Sequence, residues 1–433
     1  MEDARYPFIE REDPEVARLI EGEDRRQAEG LELIPSENYV SRAVKEAMAS
    51  SLTNKYSEGY PGKRYYGGQD FTDPLEELAI ERAKRLFNAD HANVQPLGGA
   101  AANIAAYFAW LEPGDTVLGM DLAHGGHLTH GAPVTYMARL FTFVRYGMKD
   151  ADTGEIDYDA LEQLAKEVKP KIVLAGFSAY PRELDWRRIA EIARGVGAVA
   201  MADVAHIAGL IAGGVAKNPL DEGFHLMTTT THKTLRGPRG GMILSKGVVS
   251  SPLKAPEKTI ENLPTLIDRA VFPGLQGGPH MHQIAAKAVA LHEAAAPSFK
   301  EYAKRVVENA QAMAEVFNRE GARLITGGTD NHLLLADVFS SFGLGGKEAE
   351  ERLDAVGVTL NKNSIAGDSR KPFDPSGIRF GTPAMTTRGF SADDCRQVAE
   401  LMIRVLRDAS HVPAAREAIK VLALAHPIPD SFS

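Results

Sequence analysis

Residues 226–244 read LMTTTTHKTLRGPRGGMIL. Two short apolar runs, Leu226–Thr230 and Gly241–Leu244, flank a polar turn that carries His232 and Lys233. Short apolar or β-branched runs bounded by Gly and Pro predict buried strands. Working outward, runs of the same kind stand at Thr116–Met120, Lys171–Phe177 and Ala198–Ala202. Helical patterns fill several of the gaps, and Leu161, Leu164, Ala165 and Val168 make one clear stripe. Alternation of strand and helix predicts an α/β fold with a mainly parallel sheet covered by helices, because parallel strands need long crossovers.

Toward the N-terminus, residues 1–30 are charged and predict a helical arm. Asn54–Gly68 is a loop rich in Gly, Tyr and Pro. Leu75, Leu78, Ala79, Ala83 and Leu86 recur at helical spacing and predict an amphipathic helix over 74–87. Gly98-Gly99 followed by the Ala-rich stretch 100–111 reads as a glycine turn opening a buried helix. Beyond residue 290 the texture changes. Long Ala/Glu/Lys-rich helical patterns flank two expected strands, Arg323–Ile325 and His332–Asp337. Val398, Leu401, Met402, Val405 and Leu406 share one face of a late helix, with Ser391 and Asp394 as its capping box. The expected organisation is an arm (1–30), a large α/β domain (31–290) and a smaller α+β domain (291–433).

The chain has 433 residues, 44% hydrophobic and 25% charged, the balance of a soluble globular enzyme of more than one domain. Its net charge of −9 disfavours non-specific binding to nucleic acid or to an anionic membrane. Cys395 is the only cysteine, so no intrachain disulfide can form. The opening MEDARYPFIERED has no signal-peptide apolar core. The most apolar stretch, Gly197–Ala216, carries Asp203, His206 and several glycines and does not read as a membrane span. A cytoplasmic protein is expected.

Ligands in open α/β sheets gather at the carboxyl ends of the strands. Ser178 and Tyr180 follow one expected strand, Asp203 and His206 the next, and His232-Lys233 another. An amine, an acid and a glycine turn at a helix N-terminus are what a pyridoxal-phosphate site needs. The amine bonds the cofactor, the acid keeps the pyridine nitrogen protonated, and backbone N–H groups hold the phosphate. Each residue also has an ordinary reading: a solvated lysine, an aspartate capping a helix, a core histidine, a plain glycine turn. The spacing of His124, His127 and His130 in a glycine-rich loop is weak support for a metal, and none is expected.

Residues 228–241, TTTTHKTLRGPRGG, resemble the active-site signature of serine hydroxymethyltransferases. So do LTNKYSEGYPGKRYYGG at 52–68, NVQP at 93–96, LAHGGHLTHG at 122–131, ADVAHIAGL at 202–210, FPGLQGGP at 272–279 and SGIRFGT at 376–382. These blocks run through nearly the whole chain in the family's order. The resemblance implies a fold type I, aspartate-aminotransferase-like enzyme, a homodimer or dimer of dimers, that transfers the hydroxymethyl group of serine to tetrahydrofolate. It implies Lys233 as the Schiff-base lysine carrying pyridoxal 5′-phosphate, Asp203 against the pyridine nitrogen and His127 stacked on the ring. His206 and Ser178 would contact the 3-hydroxyl region, with Thr230 among the catalytic residues and His232 among the cofactor contacts. Gly98, Gly99 and Ala100 would take the phosphate, joined from the neighbouring subunit by Tyr56, Gly277 and Gly278. Arg379 would clamp the substrate carboxylate, assisted by Ser36 and Tyr66. Glu58 would move a proton, and Tyr65, Leu128 and Asn363 would hold folate.

One block departs from the family. Its phosphate loop usually reads His-Ser-Gly-Ser/Ala-Gln-Ala-Asn, and here it is Leu97-Gly98-Gly99-Ala100-Ala101-Ala102-Asn103. The hydroxyl expected at 98 is missing, and a hydrogen bond to a charged group is worth roughly 1.5–3 kcal/mol. The resemblance leaves two relatives open on the same scaffold: an α-methylserine hydroxymethyltransferase, and a folate-independent threonine-type aldolase or transaldolase.

Overall fold

The structure is a computed structural model that describes residues 6–247 and 256–432. Residues 1–5 of the expected arm and Ser433 of the expected small domain lie outside the described residues. The apolar runs form a seven-stranded sheet. Across it stand His91–Asn93, Gly241–Ser245, Leu226–Thr230, Val199–Asp203, Ile172–Gly176, Thr116–Met120 and Thr142–Tyr146. Every residue of Leu226–Thr230, Val199–Asp203 and Ile172–Gly176 is buried, as befits strands covered on both faces. From Leu226–Thr230 outward to Thr142–Tyr146 all pairings are parallel. Gly241–Ser245 runs antiparallel to both of its neighbours. Its link from Thr230 spans only residues 231–240, too short for a parallel crossover.

The helices Thr72–Phe87, Gly99–Trp110 and Tyr158–Val168 stand where periodicity placed them. The arm is helical over Pro7–Glu12 and Pro14–Glu29 and buries only Ala17. The Asn54–Gly68 loop contains a small hairpin, Gly59–Tyr60 with Lys63–Arg64. It is anchored by the buried Arg64 guanidinium, which bonds Asp73 at 2.8 Å and Glu76 at 2.5 Å.

A second core lies around an antiparallel three-stranded sheet ordered Leu333–Asp337, Gly377–Gly381, Asn361–Asn363. The capping box of Ala392–Arg407 is formed: Asp394 accepts from the Ser391 amide at 2.8 Å, and the Asp394 amide donates to Ser391 Oγ at 3.3 Å. The expected strand Arg323–Ile325 is corrected. Leu324 makes one isolated bridge to Ala336, and the chain then turns through Thr326 (φ 66°), Gly327 and Gly328, which ends any extended run. Leu31 and Leu33 pack in this second core, and Leu31–Glu32 pairs in parallel with Val358–Thr359. The 23-residue helix Pro297–Arg319 enters both cores, with Phe299, Tyr302 and Val306 in the first and Ala310, Met313 and Phe317 in the second.

Candidate active site

A cavity of about 530 Å³ opens at the carboxyl ends of the parallel strands. Ser36, Gly98, Gly99, Ala100, His127, Leu128 and Ser178 line it, with Asp203, His206, Thr230, His232, Lys233, Asn363 and Arg379. A wider groove of about 770 Å³ between Leu78, Arg82, Leu291 and Pro297 holds none of the expected residues. Volume alone therefore does not mark the site; the strand ends do.

Asp203 ends the Val199–Asp203 strand, and its carboxylate is the hub of the cavity floor. Oδ2 accepts from Asn103 Nδ2 at 2.8 Å and lies 3.0 Å from His130 Nε2, while Oδ1 accepts from the Ala205 amide at 3.1 Å. Burial works against its charge, but the bonds from His130 and Asn103 help to outweigh it and hold the carboxyl far below the usual range. Asn103 also donates to Thr129 Oγ1 at 2.8 Å and accepts from Thr228 Oγ1 at 2.6 Å. Thr129 Oγ1 is 2.7 Å from His127 Nδ1, and the Thr129 amide donates to that nitrogen at 3.2 Å. The His127 amide likewise donates to His130 Nδ1 at 3.2 Å. Backbone donors thus make Nδ1 the acceptor in both rings, which leaves each proton on Nε2. Burial lowers His127 to about 4, so its ring is neutral at pH 7.

Lys233 stands three residues past the end of its strand and is buried. Burial lowers its amine to about 8, against a partial counter-effect from Asp203. Arg379, central in Gly377–Gly381, donates to Ser178 O at 2.6 Å and Asn361 Oδ1 at 3.0 Å. Burial alone lowers it to about 10, and among the described residues no carboxylate lies within ion-pair distance of it. Ser178 donates its hydroxyl to Gly126 O at 2.8 Å. His206 Nδ1 is 3.2 Å from His332 Nε2, and burial drives both imidazoles well below their usual value. Thr230 Oγ1 donates to Ala205 O at 3.3 Å, and His232 Nδ1 accepts from the Gly240 amide at 3.4 Å.

Gly98 precedes the helix Gly99–Trp110 without a side-chain cap, so the first-turn N–H groups are free to hold an anion. A Cβ on Gly99 would stand 2.7 Å from Thr230 Cγ2, so this close approach of loop to strand needs glycine. The amine, the acid and this cradle fit pyridoxal phosphate. A sequence model of the serine hydroxymethyltransferase family matches residues 9–402. The chain belongs to that family. It is a fold type I pyridoxal-phosphate enzyme of the serine hydroxymethyltransferase type, acting on small molecules. Among the described residues no helix is long and apolar enough to cross a membrane.

Six residues expected around this hydroxymethyltransferase site stand elsewhere in the chain. Tyr56 Oη bonds Glu58 Oε1 at 3.2 Å, and the Tyr56 ring packs edge-on to Tyr66 at 5.2 Å. A Cβ on Gly278 would meet the Tyr56 ring at 3.2 Å, and one on Gly277 would meet Glu58 Oε1 at 3.3 Å. Tyr65 packs on Phe272 at 5.7 Å. Glu58, Tyr65 and Tyr66 were expected beside Arg379 or folate, yet within one chain they form this separate surface group. All three tyrosines are at least half exposed.

No local signal marks Asn103, His130 and His332 as site residues, and the His-x-x-His-x-x-His spacing points only to a metal motif. Ligand atoms of His127, His130 and Asp203 do lie within 4.8 Å of one another, but His130 and Asp203 spend theirs on each other.

Proposed function

We propose that this enzyme interconverts L-serine and tetrahydrofolate with glycine and 5,10-methylenetetrahydrofolate. One observation carries the reading: Arg379, a half-buried guanidinium with no acidic partner among the described residues, faces the same cavity as Lys233 and Asp203. A planar fork in that position suits the carboxylate of an amino acid, and Ser36, which lines the same cavity, adds a hydroxyl. When bound, pyridoxal phosphate supplies an electron sink for breaking a bond at Cα. Lys233 would hold it through its amine, and Asp203 would keep a proton on its ring nitrogen. His127, neutral at pH 7, would pack against the ring, and His206, Ser178, Thr230 and His232, which line the same cavity, would contact it. The free amides of Gly99 and Ala100 would receive the phosphate.

Leu128 and Asn363 line the cavity and are offered to folate. The Tyr56–Glu58–Tyr65–Tyr66 group with Gly277 and Gly278 belongs, in this reading, to the pocket of a neighbouring copy. A cluster of half-exposed tyrosines beside a carboxylate fits that role better than open solvent does. Glu58 then moves the proton of the serine hydroxyl or of folate, and the enzyme is a homodimer or a dimer of dimers. A cytoplasmic location is part of the same reading. So is the division into an arm, a large and a small domain, supported by the two separate cores. Within it, Leu31–Leu33 associates with the small domain.

The test is a panel of serine, α-methylserine and threonine, each with and without tetrahydrofolate. Serine turnover should require the folate. Serine turnover indifferent to folate would replace this reading with the aldolase one, and a preference for α-methylserine would narrow it to that relative.

A further inference from the structure

Lys287 lies on the helix Met281–Ala294 and is 2% exposed. Its ammonium donates to three backbone carbonyls: Val94 at 2.6 Å, Gly241 at 2.8 Å and Pro96 at 3.1 Å. Three acceptors use all three protons, so the bonding pattern is that of the charged form. Burial opposes this and lowers the amine to about 7. Among the described residues no carboxylate is within ion-pair distance. Glu76, the acid that favours its charge from further away, is bonded to Arg64. A buried cation without a counter-ion is costly.

The carbonyls it holds belong to one place. Val94 and Pro96 lead directly into Gly98-Gly99, and Gly241 packs against Gly98, where a Cβ would come within 2.5 Å of the Gly98 carbonyl oxygen. The Gly241 amide also donates to Pro96 O at 2.9 Å. Gly240 leaves the lysine its room, because a Cβ there would stand 2.4 Å from Lys287 Cε. Lys287 therefore ties down, from behind, the loop whose other side opens on the cavity. That loop carries no hydroxyl at 98, 100 or 101.

We propose that Lys287 is the positioning residue of the phosphate loop. It pins Val94, Pro96 and Gly241 through their carbonyls and supplies, through the loop, the positive charge that a bound phosphate ester lacks among the loop's own side chains. The proposal rests on the reading that this loop receives the cofactor phosphate.

The experiment titrates apoenzyme with pyridoxal 5′-phosphate and, separately, with pyridoxal, which lacks the phosphate. Lys287→Gln keeps two donors and removes the charge. It should weaken pyridoxal phosphate about tenfold or more, the scale of one charge felt through a protein interior, and change pyridoxal less than about threefold. Lys287→Arg should restore much of the difference. Equal losses for both ligands would mean a purely structural tie and overturn the proposal, as would no loss for either. If Lys287→Gln does not fold, Gly240→Ala, which displaces the lysine without removing it, must lower the same ratio or the proposal fails. A wild-type enzyme that binds pyridoxal as tightly as pyridoxal phosphate would instead remove the phosphate reading of the loop.

Discussion

His130 Nε2 lies 3.0 Å from Asp203 Oδ2, inside the cavity floor and out of water. With Asn103 on the same oxygen, this bond helps to hold the Asp203 carboxyl far below the usual carboxylate range. Asp203→Asn should therefore fold and bind cofactor yet lose turnover by about 100-fold or more, the loss expected when a proton-holding group is removed. Near-normal turnover would mean that the carboxylate has no part in the chemistry.

Lys233 is held at about 8, below its unfolded value of 10.5. Between those limits the unfolded chain binds more protons than the folded one, so apoenzyme stability should rise with pH across that window. The burden of burying the charged amine is full below about pH 8 and gone above 10.5. Chemical denaturation of wild-type apoenzyme and Lys233→Met across this range tests the sign: a gap that does not change in favour of wild type would contradict it. Borohydride should fix the cofactor on Lys233, as read by peptide mapping.

Gly98 has φ 179° and open space where a Cβ would stand. Gly98→Ser should thus be tolerated and tighten pyridoxal phosphate by up to a few kcal/mol at most. Gly99→Ala, pressed on Thr230, should weaken it. Unchanged affinity in Gly98→Ser would show that a hydroxyl is not what limits this loop.

Arg379→Lys keeps the charge and loses the fork. We expect kcat/KM for the amino acid to fall about 100-fold, chiefly through KM, with cofactor affinity little changed. A loss of cofactor in parallel would place the guanidinium elsewhere in the reaction.

Lys233→Ala and Tyr56→Ala enzymes should each be inactive, yet regain activity when mixed and allowed to exchange subunits. A hybrid then holds one pocket with both residues intact. No recovery in exchanged hybrids would confine Tyr56 to its own chain.

Much of this was legible in the sequence, for identifiable reasons. Ile172–Gly176, Val199–Asp203 and Leu226–Thr230 are buried on both faces, so their apolar runs announce them, and Asp203 and Lys233 follow by position. Thr142–Tyr146 and Asn361–Asn363 carry no apolar run, because their residues are mostly half-buried or polar. Gly377–Gly381, which carries Arg379, is an Ile-Arg-Phe core between glycines and has no period to read. The pairing of His130 with Asp203 joins positions 73 residues apart, and no local spacing encodes it. Tyr56, Tyr65 and Tyr66 are at least half exposed in the single chain, and the role proposed for them rests on an assembly that one chain's pattern does not specify.

The helix Pro297–Arg319, roughly 35 Å long at the usual rise, is embedded in both cores without a break. It acts as a rigid beam. The two cores cannot swing apart like the leaves of a hinge unless that beam bends. Arg379 and Lys233 are carried on bodies joined by that beam, so in the proposed reaction a bulky co-substrate would have to be admitted past the shorter cavity-lining segments around Ser36, Leu128 and Asn363.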